Sequence, residues 1–318
     1  MAQLHIVAGI AVSKAWLDIA LSFGNSSCRV TNDNSGFEKL ADWFTQHDIT
    51  RVGLEASGGY EIPVMDALTA KGFEVARLNA HRVRLFARAK GRMAKNDRAD
   101  AKVIARATLV LVEEAPAIRR KDLDELVEHL SYRGELRDLT TRCDNQLEVL
   151  KDKKLREETR VRRVSLVKQV ARIDKLLAAI VAQHDDWQAL SDLLRTAPGA
   201  GPVLAHTLIG LLPELGKISN KAIASLVGIA PFDNDSGTHR GERHIKGGRA
   251  AVRKVLYMAA LSALRHNPLI AAFAAQLGAG KKPKVIIVAC MRKLLTFLNA
   301  MVRDGKPWDA SRGRGKMA

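Results

Sequence analysis

Residues 4–110 alternate short apolar runs with amphipathic stretches. The runs LHIVAGIAV, LDIALSF and CRVTN predict three consecutive strands, with a turn at Val12-Ser13-Lys14 between the first two. GFEKLADWFTQH puts Phe37, Leu40, Trp43 and Phe44 on one side of a helix. RVGLEA predicts a buried strand, EIPVMDALTAKG a helix that stops at Gly72, and FEVARLN a further strand. Three meandering strands followed by alternating helix and strand predict an α/β fold with a mixed sheet.

The pattern changes over 120–187. Leu123, Leu126 and Leu130 recur at helical spacing, as do Leu136, Leu139, Cys143, Leu147 and Leu150. Val161, Val164, Val167, Ile173, Leu177 and Ile180 continue it. Two long helices joined near 152–160 predict an antiparallel hairpin or coiled coil. Pro198, the Gly-rich run 199–201 and Pro202 then separate a third, mainly helical part. The expected division is 1–118, 119–188 and 189–318, with a frayed Gly- and Arg-rich tail.

Charge sharpens this picture. The 318 residues carry 51 Lys and Arg against 34 Asp and Glu, a net charge of +17. An excess of that size favours a polyanionic partner, nucleic acid first and an anionic membrane surface second. Apolar residues make up 47% of the chain, which excludes a disordered polymer. Cys28, Cys143 and Cys290 are odd in number and lack metal-ligand spacing, so a reducing compartment such as the cytoplasm is expected. No signal peptide is expected, and no membrane span, because Arg292 and Lys293 interrupt the longest apolar run at 285–298.

Four stretches carry candidate chemistry. In LEASGGYE, Glu55 ends a buried strand, and α/β sheets place ligands at their carboxyl edge. In AKNDRADAKVIARA, Asp97 and Asp100 lie three apart at a helix start and so share a face. Each has a plainer reading, Asp97 as an N-cap and Asp100 as a first-turn acid. The two acids sit amid His81, Arg82, Arg84, Arg88, Lys90, Arg92, Lys95 and Arg98. A basic surface brings phosphates, among which hard carboxylate oxygens hold Mg²⁺. Arg162 and Arg163 belong to a second basic run in the helical middle, read as phosphate contacts or as a solvated face. RTAPGAGPVLAHTLIGLL resembles a helix–hairpin–helix, whose turn offers backbone N–H groups to a phosphate, although ordinary helix–helix turns look alike. The fourth stretch, APFDNDSGTHRGERHIKGGRAAVRKVLYMAA, holds Ser236 in a Gly/Asp/Asn-rich loop with Arg240, Arg243, His244, Lys246 and Arg249 as phosphate clamps.

The ordered set GIAVSK, LEASGGYE, KNDRADAKVIA and the Ser-Gly pair before a basic loop and an R-x-x-L-Y helix resembles the DEDD transposases of the insertion-sequence one-ten family, relatives of the Piv site-specific invertases. The likeness runs from about residue 5 to about 312. It implies a ribonuclease-H-like (RuvC-like) first domain, a coiled-coil middle and a C-terminal transposase domain. It implies that Glu55, Asp97 and Asp100 are catalytic and hold Mg²⁺, and that Ser236 is the nucleophile that joins DNA. The family's first motif is typically G-I-D-x-(S/A)-K, and its Asp falls on Ala11. One ligand is then missing, as from an engineered Asp-to-Ala change, and the chain is expected to bind but not to cut. A structured noncoding bridge RNA that pairs with donor and target DNA is implied as guide. A homo-oligomer, dimer or tetramer, is implied too. The competing readings are a guide-independent invertase, a junction nuclease, and a nonenzymatic nucleic-acid-binding relic.

Overall fold

Three antiparallel strands form where the first apolar runs fall: β1 (Ala8–Val12), β2 (Trp16–Leu21) and β3 (Ser27–Thr31). The computed structural model describes residues 6–91, 97–111, 121–237, 239–278 and 280–310. Two compact units divide the chain, 1–119 and 120–318.

In the first unit the chain continues through α1 (Asn34–Gln46), β4 (Arg51–Glu55), α2 (Ile62–Ala70), β5 (Glu74–Leu78), α3 (Ala80–Ala89) and α4 (Asp97–Leu111). Asp33 caps α1 by accepting from the Gly36 N–H, and Gly72 ends the α2 segment at φ +88°. The strand order is β3-β2-β1-β4-β5, with β1, β4 and β5 mutually parallel. This mixed sheet is consistent with a ribonuclease-H-like domain. Helix α3 was not expected from the pattern. Its single fully buried side chain, Val83, gives almost no apolar stripe to read, and it is fixed by Asn79, whose side chain accepts from the His81 and Arg82 N–H groups.

Period-2 alternation sorts the strand residues. Ile10, Leu17, Ile19, Val52 and Leu54 pack on one face with Phe37, Leu40 and Phe44 of α1 and Val64 and Leu68 of α2. The other face receives α4, and two glycines let it come close. A Cβ on Gly9 would lie 2.2 Å from the Ala101 carbonyl oxygen and from the Ala105 nitrogen. A Cβ on Gly53 would lie 1.7 Å from the Thr108 hydroxyl oxygen. The helix therefore rests on the backbone of β1 and β4. Lys102 adds a bond to the Gly24 carbonyl at 2.7 Å, at the β2–β3 turn.

The second unit opens with α5 (Asp124–Val149) and α6 (Lys153–Ala182). Arg133 pairs with Asp174 and Arg163 with Asp144, so partners lie at ever closer sequence distance toward the bend, as in an antiparallel helical hairpin. The break falls at Leu150–Asp152, ahead of the expected 152–160, because Asp152 caps α6 by accepting from the Lys154 and Leu155 N–H groups. The buried stripe of α6 runs through Leu166, Val170, Ile173, Leu177 and Ile180. Val161, Val164 and Val167, expected to join it, lie off that stripe and are exposed, Val161 at 63%.

Helices α7 (Asp185–Arg195), α8 (Pro202–Leu211), α9 (Asn220–Val227), α10 (Ala250–His266), α11 (Pro268–Leu277) and α12 (Pro283–Asp304) complete this unit. Between α9 and α10 run four two-residue strands, β6 (Pro231–Phe232), β7 (Asp235–Ser236), β8 (His239–Arg240) and β9 (His244–Ile245). The turn between α7 and α8 is held internally. Gly199, at φ +97°, lies against Ala263, and Asn267 donates to the Pro198 carbonyl at 3.2 Å. Helix α12 is long and apolar enough by length and composition to cross a membrane. Its Cys290, Met291, Leu294, Leu295 and Leu298 are instead core residues beside Val252, Leu256 and Ala260 of α10.

Candidate functional site

Alternation puts Ala11 and Glu55 on the α4 side of the sheet, each two residues beyond a glycine that seats the helix. Ala11 packs with Ile104, Ala107, Leu78 and Val83. Glu55 is the last residue of β4. Asp100 lies in the first turn of α4, next to the Ala101 carbonyl that approaches Gly9. Asp97 opens α4, and its side chain lies outside the described residues. Position 11, Glu55 and the start of α4 thus belong to one face of one unit.

A carboxylate that the sequence reading passed over stands beside them. Asp18 is the partner of Ala11 across the β1–β2 ladder and is 3% exposed. Both its oxygens accept from Arg29, the Nε and one terminal nitrogen each at 2.8 Å. The bidentate pair satisfies a buried charge and fixes it next to position 11.

The loop after Glu55 is organised by Glu61, which is fully buried. One oxygen of Glu61 accepts from the Ser57 N–H at 3.1 Å, the Ser57 hydroxyl at 3.0 Å and the Gly59 N–H at 2.8 Å. The other oxygen accepts from Arg77 of β5. Burial alone would raise its pKa. The backbone N–H groups and the Arg77 guanidinium outweigh burial and hold the carboxyl below its ordinary value. Asn32 ties this loop to the β1–β2 turn, donating to the Ser13 carbonyl at 2.9 Å and the Tyr60 carbonyl at 3.1 Å. Both segments that follow position 11 and Glu55 are therefore fastened together.

This depressed pKa makes a pH prediction. Glu61 stabilises the fold fully above its unfolded value, about 4.3, and the contribution is lost as pH falls through the lower folded value. Glu61→Gln is expected to lower stability at pH 7 by about 3 kcal/mol, since it leaves Arg77 and the loop N–H groups without their anion. The gap between wild type and variant in urea unfolding is expected to narrow in acid. A gap that stays constant down to the folded pKa would refute the role.

The basic residues differ in their commitments. Arg82, Arg84, Arg88 and Lys90 are exposed on or just beyond α3. Arg92 and Lys95 lie outside the described residues. Arg162 is exposed on α6, and Arg163 pairs with Asp144. Arg249 is bound within its unit, to both oxygens of Glu214 at 2.6 Å and to the Leu211 carbonyl at 2.9 Å. Burial would raise the Glu214 pKa, but the Arg249 hydrogen bonds pull it below the ordinary carboxylate value. The pair anchors the chain where it enters α10.

Ser236 lies in the second unit, on a ribbon rather than an irregular loop. Pro231 pairs with Ile245 and Phe232 with His244; farther out, Asp235 pairs with Arg240 and Ser236 with His239. These are two stretches of one hairpin. Two residues separate the stretches on the outgoing strand and three on the return, which makes a bulge, with the Gly241 N–H donating to the Asn234 carbonyl at 3.2 Å. Ser236 is exposed, one residue before Gly237, whose φ of +56° suits the tip. Arg243 pairs with Asp233 at 2.8 Å, and the Lys246 ammonium lies 5.3 Å from the Phe232 ring centre.

Glu55 and Asp100 are hard oxygen donors of the kind that suit a divalent cation. Ala11 supplies no donor, and among the described residues no three His, Cys, Asp or Glu side chains are grouped to hold a metal.

A five-stranded mixed sheet with acidic groups on its helix-covered face, in a chain of net charge +17, is consistent with a ribonuclease-H-like unit that acts on nucleic acid. The chain belongs to the IS116/IS110/IS902 family of transposases. The model of that family matches residues 191–275, and a second transposase model, of the DEDD kind, matches 24–153. The matched stretches contain Glu55, Asp97, Asp100 and Ser236, whereas position 11 precedes them. Among curated relatives, the pilin gene-inverting proteins of Moraxella bovis and Moraxella lacunata are each 26% identical over 325 residues. The alignments cover 95% of this chain and 97% of theirs.

Proposed function

We propose that this chain is a DNA recombinase of a mobile element, guided by a structured noncoding RNA that pairs with donor and target DNA. The observation that carries the reading is the exposed Ser236 near the tip of a bulged ribbon, in a chain of net charge +17 whose other unit places acids on one sheet face. Glu55, Asp97 and Asp100 would hold Mg²⁺, which supplies charge stabilisation at a phosphate when bound. Ser236 attacks the phosphorus. Its Oγ–P bond forms, the bond to the leaving deoxyribose oxygen breaks, and that oxygen takes up the proton. Rejoining is the reverse step with another strand's hydroxyl, so no external energy source is needed. Ala11 leaves the acidic face one donor short, and the chain as it stands binds without cutting. The helical hairpin and the C-terminal part serve as separate functional pieces, 119–188 and 189–318, in a homo-oligomer.

The test traps the serine adduct. Ala11→Asp protein is incubated with labelled donor and target DNA, Mg²⁺ and the noncoding RNA from the element's flank, then denatured on a gel. A covalent protein–DNA band is expected, absent with Ala11→Asp/Ser236→Ala. Adducts that persist without Ser236 would remove the nucleophile assignment. Adducts that form equally without RNA would favour a guide-independent invertase; the Moraxella relatives are named for gene inversion.

A further inference from the structure

Aromatic rings are scarce in this chain, 5% of residues, and most are packed. Of the four tryptophans, Trp187 is buried, Trp43 packs on Phe44 with ring centres 5.8 Å apart, and Trp308 packs on Phe297 at 5.1 Å. Trp16 is 46% exposed, and so is Tyr60 at 47%. Phe23, Tyr132 and Phe232 are exposed as well, Phe23 at the β2–β3 turn and the other two in the second unit, so it is position that marks Trp16 and Tyr60.

Their places are not random. Trp16 opens β2 and by alternation shares the α4-side face with Asp18, the partner of position 11. The Arg29 guanidinium carbon lies 6.0 Å from the Trp16 ring centre, and Asp18 holds that guanidinium in place. Tyr60 sits in the loop that follows Glu55, between the Asn32 bond at its own carbonyl and the buried Glu61 next to it. The Asn32 side chain links the turn before Trp16 to Tyr60. Two exposed rings and a fixed cation thus flank the carboxyl edge from which position 11 and Glu55 emerge.

We propose that Trp16 and Tyr60 form a stacking site for an unpaired base of the DNA strand, beside the phosphate presented to the acidic face. The proposal rests on the recombinase reading for the choice of DNA. In a duplex the base faces are covered by their neighbours, so an aromatic side chain gains a stacking surface only where a base has left the stack. Arg29, held by Asp18, places a guanidinium over the Trp16 ring and fixes that ring's setting.

The test uses the chain as it stands, in EDTA, so that binding is read without chemistry. A short single-stranded DNA, the same sequence as a full duplex, and the same sequence as RNA are titrated by fluorescence anisotropy. Trp16→Ala is expected to weaken single-stranded DNA binding about fivefold to a hundredfold. Trp16→Phe should keep most of the affinity, Tyr60→Ala should lose it in the same direction, and the duplex should change less than about twofold. Both rings are exposed, so the variants are expected to melt like the parent. Unchanged single-strand affinity, an equal loss on the duplex, or a loss confined to RNA would overturn the proposal. If Ala11→Asp protein fails to recombine DNA while Trp16-dependent single-strand binding persists, the recombinase reading falls and the stacking site stands.

Discussion

Ala11→Asp is expected to raise the rate of DNA strand exchange by about three powers of ten. A carboxylate bound to a catalytic divalent ion is worth several kcal/mol of charge stabilisation at the transition state, and each ~1.4 kcal/mol is tenfold in rate. The position suits the role. Residue 11 lies on the same face as Glu55, and its ladder partner Asp18 is already neutralised by Arg29. The check is a single-turnover recombination assay across a Mg²⁺ titration. A rate gain under tenfold at saturating Mg²⁺ would show that position 11 is not part of the reactive set. The same substitution should leave metal-free nucleic-acid affinity within about twofold.

Gly9→Val is expected to unfold the first unit or leave it molten. The added Cβ would meet backbone atoms of α4 at 2.2 Å, and a helix backbone cannot rotate away as a side chain would. Overpacking against flexible neighbours costs about 1–3 kcal/mol, and a clash with main chain costs more, against a total stability of about 5–15 kcal/mol. Thermal melts of Gly9→Val and Gly9→Ala compare the two sizes. A variant that melts within about 2 °C of the parent would mean that α4 does not rest on β1 as described.

Much of the first unit was legible because burial on one face of a sheet forces alternation. All five strands lie where apolar runs predicted them. Gly9 and Gly53 were not legible, because a glycine in a strand reads as a weak residue until the helix that needs the space is known. Glu61 stood in the quoted motif but passed unread, since its meaning depends on Arg77, sixteen positions away, and on loop N–H groups. Arg249 read as one basic residue among several, and only the fold brings Glu214 to it across 35 positions. The ribbon around Ser236 looked like a loop because its strands are two residues long and its Asp, Asn and Gly residues are those of turns.

The bulge in that ribbon has a consequence for how such sequences vary. The extra residue among 241–243 bends the return strand and sets the twist of everything beyond it. Deleting Glu242 would make the hairpin flush and swing the direction in which Ser236, the proposed nucleophile, faces. Information about chemistry is here stored in a length as well as in an identity. A drift of one position between Arg240 and His244 is a change of aim, invisible to any comparison that asks only whether the serine is still there.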